Sequence, residues 1–190
     1  MSVYPSLPIP AHLEHLFQAF PKGAKPLLAL HDALLREDSA FSIAERELIA
    51  AYVSGLNACT FCFGAHRAMA MAFGIPAQTV DALIADIDTA PIDDRMRPVL
   101  AYAAKVTRLE GVTQDDARAV FAAGWPDHAL HDTVMITALY NFMNRLVEGS
   151  GLAAKEAHLA PTEADLSERR SGTYVGWGEA SGFIPAEGRS

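Results

Sequence analysis

Residues 42–66 read SIAERELIAAYVSGLNACTFCFGAH, and this stretch decides the fold. Ser42 followed three residues later by Glu45 forms a capping box, in which side chains and free amides exchange hydrogen bonds at a helix start. The helix so opened should run through Ile49 and Val53 and loosen at Gly55 or Asn57. A second helix should begin close to Cys59 and end before Gly74. At about 100° per residue, Cys62 lies about 60° and His66 about 20° from Cys59 on that helix. Both cysteines of the chain and one histidine therefore share a face.

Outward from this hairpin the helical period continues in both directions. Leu13, Leu16, Phe17 and Phe20 recur at three and four, as do Leu27, Leu28, Leu34 and Leu35. Pro76 suits the first turn of a helix carrying Val80 and Leu83, and Pro98 the first turn of one spanning Met96 to Leu109. Thr113-x-x-Asp116 caps another, which stops at Gly124. Pro126-Asp127 opens the longest helix, where Leu130, Val134, Ala138, Phe142 and Leu146 lie along one face and Met135, Ile136 and Leu139 fill others, predicting burial on most sides. With 34 alanines and 19 leucines against 28 Val, Ile and Thr together, the fold class is all-α, a bundle of about eight helices.

The 190 residues, 51% of them hydrophobic, fit one domain of ordinary size. Residues 1–160 form the main helical domain. Residues 161–190 hold only 9 hydrophobics and several glycines and read as an extended C-terminal tail. The tail keeps Tyr174, Trp177 and Phe183, which fits either a frayed terminus or an arm laid on a neighbouring subunit. A net charge of −8 and no basic cluster argue against nucleic acid as a partner. No apolar run approaches the ~20 residues that span a bilayer, and the proline-interrupted N-terminus lacks a secretory signal. Two cysteines exclude a disulfide scaffold and point to a reducing, cytoplasmic setting.

Cysteines three apart in a helical turn approach the ~5.5 Å Cα separation that a disulfide favours, so the pair can oxidise and reopen with little backbone movement. A helix N-terminus at Cys59 would help form the reactive thiolate, and His66, one turn beyond Cys62, can carry a proton. Glu47 on the preceding helix, with Ala50, Ala51 and Ser54 on its side, would lie buried beside the dithiol, where desolvation raises a carboxyl pKa. Zinc is an alternative use of Cys59, Cys62 and His66, with Glu47 as the fourth ligand; two inert core cysteines are another. His128 and His131, three apart, read as a solvated or interface face rather than a metal pair. Asn141, Asn144 and Arg145 read as satisfied polar groups in a helix contact, or else as a substrate lining.

Glu47-x11-Cys59-x2-Cys62-x3-His66 resembles the core motif of the alkylhydroperoxidase D family, within the carboxymuconolactone decarboxylase-like superfamily, and the chain is most similar to its peroxidase-related branch. The resemblance implies an all-helical fold over roughly residues 10–160, assembly as a homo-oligomer (trimer or hexamer), and no metal, flavin or other cofactor. It implies that Cys62 attacks a hydroperoxide substrate, that Cys59 resolves the sulfenic acid to a disulfide, and that Glu47 and His66 move protons. A thiol or protein reductant would reopen the disulfide. The family's peroxidases carry a histidine just before the second cysteine, where this chain has Phe61, so the relay is shorter by one group. The alternative function is a redox-sensing or partner-binding helical oligomer without peroxidase turnover.

Overall fold

In the computed structural model, which describes residues 2–186, the helices α1 (Leu13–Ala19) and α2 (Ala24–Leu35) lead into α3 (Ile43–Leu56) and α4 (Thr60–Ala72). Four further helices follow: α5 (Ala77–Ala85), α6 (Met96–Arg108), α7 (Gln114–Ala122) and the long α8 (Asp127–Gly149). The C-terminal segment adds α9 (Glu156–Leu159), α10 (Glu163–Ser171) and α11 (Tyr174–Ala180). No strand occurs among the described residues. The all-α class holds, and the last three helices bring the number among the described residues to eleven.

The capping box forms as the sequence predicts. The Glu45 amide donates to Ser42 Oγ at 3.2 Å and the Ser42 amide to Glu45 Oε2 at 2.7 Å. Ser42→Ala should therefore cost about 1 kcal/mol, read as a lower urea midpoint at unchanged m-value. From this start α3 runs through the middle of the bundle, and every residue from Arg46 to Ser54 is buried. It packs on α4, α8, α6, α5 and α2. The expectation for α8 is corrected accordingly. Phe142 is 53% exposed and Ala138 also faces outward, so α8 flanks the bundle while α3 fills its centre. The pattern of α8 is apolar on more sides than the bundle has neighbours to cover.

The reversal between α3 and α4 is tight. Asn57 caps α3, Ala58 takes a left-handed conformation at φ 53°, and Cys59 becomes the N-cap of α4. A non-glycine residue there costs about 1 kcal/mol, set against hydrogen bonds from the Ala58 amide to Gly55 O at 2.9 Å and from the Cys59 amide to Ser54 O at 3.0 Å. Asn57 then ties the hairpin to α8 through Asn144 Oδ1 at 2.8 Å and Asn141 Oδ1 at 3.2 Å. Asn144 donates in turn to Ser54 Oγ at 3.0 Å. Asn141 and Asn144 are thus satisfied groups in a helix contact, as the first of the two sequence readings has it, whereas Arg145 is exposed and donates to Asn141 O of its own helix at 2.7 Å.

The segment read as an extended tail is helical over most of its described length. Thr162 and Thr173 each cap a helix by accepting an amide hydrogen bond, from Asp165 and Gly176. The Asp32 carboxylate on α2 accepts the Tyr174 and Val175 amides at 2.7 and 2.9 Å, which fixes the start of α11 on α2. Phe183 and Ile184 are buried against Phe17, Ala24 and Leu28 of the same chain, with Trp177 beside them. The aromatic anchors that suggested an arm on a neighbour therefore find a surface on their own subunit. Residues 187–190 lie outside the described residues. No helix among the described residues is long and apolar enough to cross a membrane.

Candidate active site

The backbone of α4 starts at the dithiol. Cys59, fully buried, accepts a hydrogen bond from the Cys62 amide at 3.4 Å, the usual duty of an N-cap side chain. Its thiol also hydrogen-bonds that of Cys62, and this contact, reinforced by burial, pushes the Cys59 pKa up. The sequence reading that a helix N-terminus would ease thiolate formation is corrected for this residue, because the neighbouring sulfur and desolvation outweigh the amide. Cys59 keeps its proton. Both cysteines are free, and Cys62 is the one that lines a cavity of about 600 Å³.

Glu47 projects from α3 towards the same place and is completely buried. Its Oε2 meets His66 Nδ1 at 2.6 Å, and its Oε1 accepts from Arg36 Nη1 at 2.6 Å and from the Tyr174 hydroxyl at 3.2 Å. Burial alone would raise the carboxyl pKa, and it is the largest single influence. His66 and Arg36 together outweigh it, and the pKa falls below the usual carboxylate value. The expectation of a raised pKa at Glu47 is therefore corrected: the donors arriving from α2 and α4 hold it ionised. A carboxylate only accepts hydrogen bonds, so His66 carries its hydrogen on Nδ1 and leaves Nε2 free to exchange a proton. The Tyr140 ring packs edge-on to His66 at 4.3 Å between centroids. Its hydroxyl, electrostatically coupled to that of Tyr174, has no hydrogen bond of normal geometry.

The structure brings all four sequence-predicted residues, Glu47, Cys59, Cys62 and His66, to one place. It does not gather them as a metal centre. The oxygens of Glu47 are taken by Arg36, Tyr174 and His66, and among the described residues no group of three or more His, Cys, Asp and Glu side chains converges. His128 and His131 lie on the exposed face of α8, as expected.

Several site residues have no signal in the motif. Arg36 ends α2 and Tyr174 opens α11, and only the fold brings them to Glu47. His158 on α9 packs edge-on against Phe61, with ring centroids 4.8 Å apart. Gly64 permits this approach, since a Cβ there would sit 3.1 Å from His158 O. His31 on α2 donates Nδ1–H to Leu27 O at 2.8 Å and stacks beside Tyr174. Burial is the main cause that brings both histidines down to about 4, helped at His158 by Arg169 and Lys155. Both are neutral at pH 7 and line the cavity. A histidine with a depressed folded pKa takes up its proton more readily unfolded, so stability is fully present above about 6.5 and is lost as pH falls towards 4. Urea midpoints should drop across that window, and a His31→Gln, His158→Gln double variant should flatten the drop.

An all-helical bundle whose central hairpin sets a Cys-x2-Cys turn and a glutamate-anchored histidine against a cavity defines a dithiol-site protein. The chain is similar to alkylhydroperoxidase D-like, carboxymuconolactone decarboxylase-like proteins in its fold and over part of its sequence. The profile of the carboxymuconolactone decarboxylase family matches residues 21–105, which contain all four motif residues. The chain is similar to an uncharacterised peroxidase-related protein from Ralstonia eutropha with an alkylhydroperoxidase AhpD core (27% identity, TM-score 0.72, covering 76% of each chain). It is also similar to an uncharacterised peroxidase-related protein from a Silicibacter species (26%, TM-score 0.73, covering 78% of each chain). A protein of unknown function from Agrobacterium tumefaciens shares the fold at 20% identity and a TM-score of 0.66, over 74% of this chain and 95% of that one. No curated protein matches the chain significantly.

Proposed function

We propose that the protein is a thiol-dependent peroxidase that reduces organic hydroperoxides through Cys62 and Cys59. The observation that carries this reading is the division of the dithiol: Cys62 opens on the cavity beside His66, and Cys59 stands behind it, buried and within hydrogen-bonding reach. The Cys62 sulfur, deprotonated through His66 Nε2, attacks the outer peroxide oxygen. The O–O bond breaks, and the leaving alkoxide takes the proton back to become an alcohol. Cys62 is then a sulfenic acid, and the Cys59 thiol displaces its hydroxyl as water to form the disulfide. Two thiols are oxidised by two electrons and one hydroperoxide is reduced to alcohol and water. A thiol or dithiol reductant returns the pair to its starting state, which accords with a cytoplasmic setting. Glu47 acts by fixing the tautomer and orientation of His66.

One observation favours a second reading, a redox sensor without turnover: Phe61 stands where the family's peroxidases have a histidine. The family resemblance implies a homo-oligomer, trimer or hexamer, under either reading. Consumption of an alkyl hydroperoxide by the reduced protein with excess dithiothreitol, and with protein dithiols as alternative donors, separates the two. With the protein dithiols a peroxidase consumes many equivalents, whereas a sensor stops after one; dithiothreitol, which reopens either disulfide, is the control that the dithiol reacts at all.

A further inference from the structure

The residues matched by the family profile, 21–105, hold the reacting groups, but much of the cavity wall comes from beyond them. Met143 of α8, Arg169 of α10, and Tyr174 and Trp177 of α11 all line it, opposite Leu28 and Cys62. A volume of about 600 Å³ is far larger than hydrogen peroxide needs and lies in the range of pockets that enclose a drug-sized organic molecule. Methionine, leucine and aromatic side chains suit a flexible hydrocarbon body.

The cations on this wall differ in what they already hold. Arg36 is bound to Glu47 at 2.6 Å, and Lys155 to Glu14 at 2.6 Å. Arg169 donates from Nη2 to Ala157 O at 2.9 Å and, among the described residues, has no carboxylate within ion-pair distance. Asp165 and Glu168 share its helix and temper its field. Asp165, however, is committed to the hydroxyl and amide of Thr162 at 2.6 and 2.8 Å. Most of the five guanidinium donors of Arg169 therefore remain available on a largely apolar wall.

We infer that the cavity selects an amphipathic organic hydroperoxide bearing a carboxylate, of the fatty-acid hydroperoxide kind, with Arg169 holding the carboxylate and the hydrocarbon lying along Leu28, Met143 and Trp177. This deepens the peroxidase reading and rests on it. The C-terminal segment is then the specificity element of the site, supplying both the cation and an aromatic wall.

The test compares a fatty-acid hydroperoxide with its methyl ester, both below their micellar concentrations. The rate constant for oxidation of the reduced dithiol should favour the acid by roughly ten-fold or more, as a charge-assisted contact in a half-buried site implies. Arg169→Met should bring the acid-to-ester ratio close to one, and Arg169→Lys should keep part of it. Circular dichroism and melting confirm that each variant folds. Equal rates for acid and ester in the unaltered protein, or an undiminished ratio in Arg169→Met, overturn the inference. Binding of the unreactive parent fatty acid and its ester, followed by quenching of Trp177 fluorescence in a Trp125→Phe background, gives a readout independent of peroxide chemistry. An acid preference there that Arg169→Met abolishes supports the site even if no hydroperoxide oxidises the dithiol, an outcome that would sink the peroxidase reading alone. Equal binding of acid and ester overturns the site.

Discussion

Glu47→Ala is expected to destabilise the protein by about 3–5 kcal/mol, the usual consequence of removing one partner from a buried ion pair. The carboxylate is wholly buried and the Arg36 side chain is only 11% exposed, so water replaces only part of what is lost. Arg36 would be left with Leu35 O at 2.9 Å and a weak contact to the Met69 sulfur, and Tyr174 would lose the acceptor of its hydroxyl. Glu47→Gln keeps the shape and one acceptor oxygen but removes the charge, so it should cost less stability. It should nevertheless slow oxidation of the dithiol by about 10²-fold, within the range assigned to positioned acid–base groups. Urea unfolding and stopped-flow oxidation measure the two effects separately. Because the folded pKa of Glu47 lies below its ordinary value of 4.5, its contribution is present above that pH and is lost as pH falls through the folded pKa. Acid unfolding of Glu47→Gln should accordingly be less steep below pH 4.5.

The second large effect separates the two sulfurs. Cys62→Ser should abolish reaction with alkyl hydroperoxide altogether, since the remaining thiol is fully buried and held protonated. Cys59→Ser should react once and stop at a Cys62 sulfenic acid, trapped by dimedone and seen as a gain of about 16 Da before trapping. Equal reactivity of the two variants would contradict the division of labour between cavity-facing and buried sulfur.

What could be read in the sequence was local. The Ser42/Glu45 capping box, the break at Asn57 and the start of α4 at Cys59 are each specified by residues within four positions of one another, and all appear where expected. The grouping of Glu47 with the dithiol was equally legible, because small residues beside Glu47 let two consecutive helices close on each other. The state of Glu47 was not. Burial follows from the sequence, but besides His66 of the motif the compensating donor is Arg36, 11 positions away and outside it, while Tyr174, 127 positions away, adds a further hydrogen bond. The C-terminal segment misled for the same reason. Its glycines and low hydrophobic content describe its own composition, whereas its placement depends on Asp32 capping α11 and on the apolar surface of α2. His158 likewise has no motif; its position follows from the approach of α9 to Gly64.

The most direct measurement is the intact mass of the fully reduced protein before and after one equivalent of alkyl hydroperoxide under non-reducing conditions. The predicted result is a loss of about 2 Da, reversed by dithiothreitol and absent from Cys62→Ser. An unchanged mass in the unaltered protein, or the same loss in Cys62→Ser, would contradict a Cys59–Cys62 redox centre.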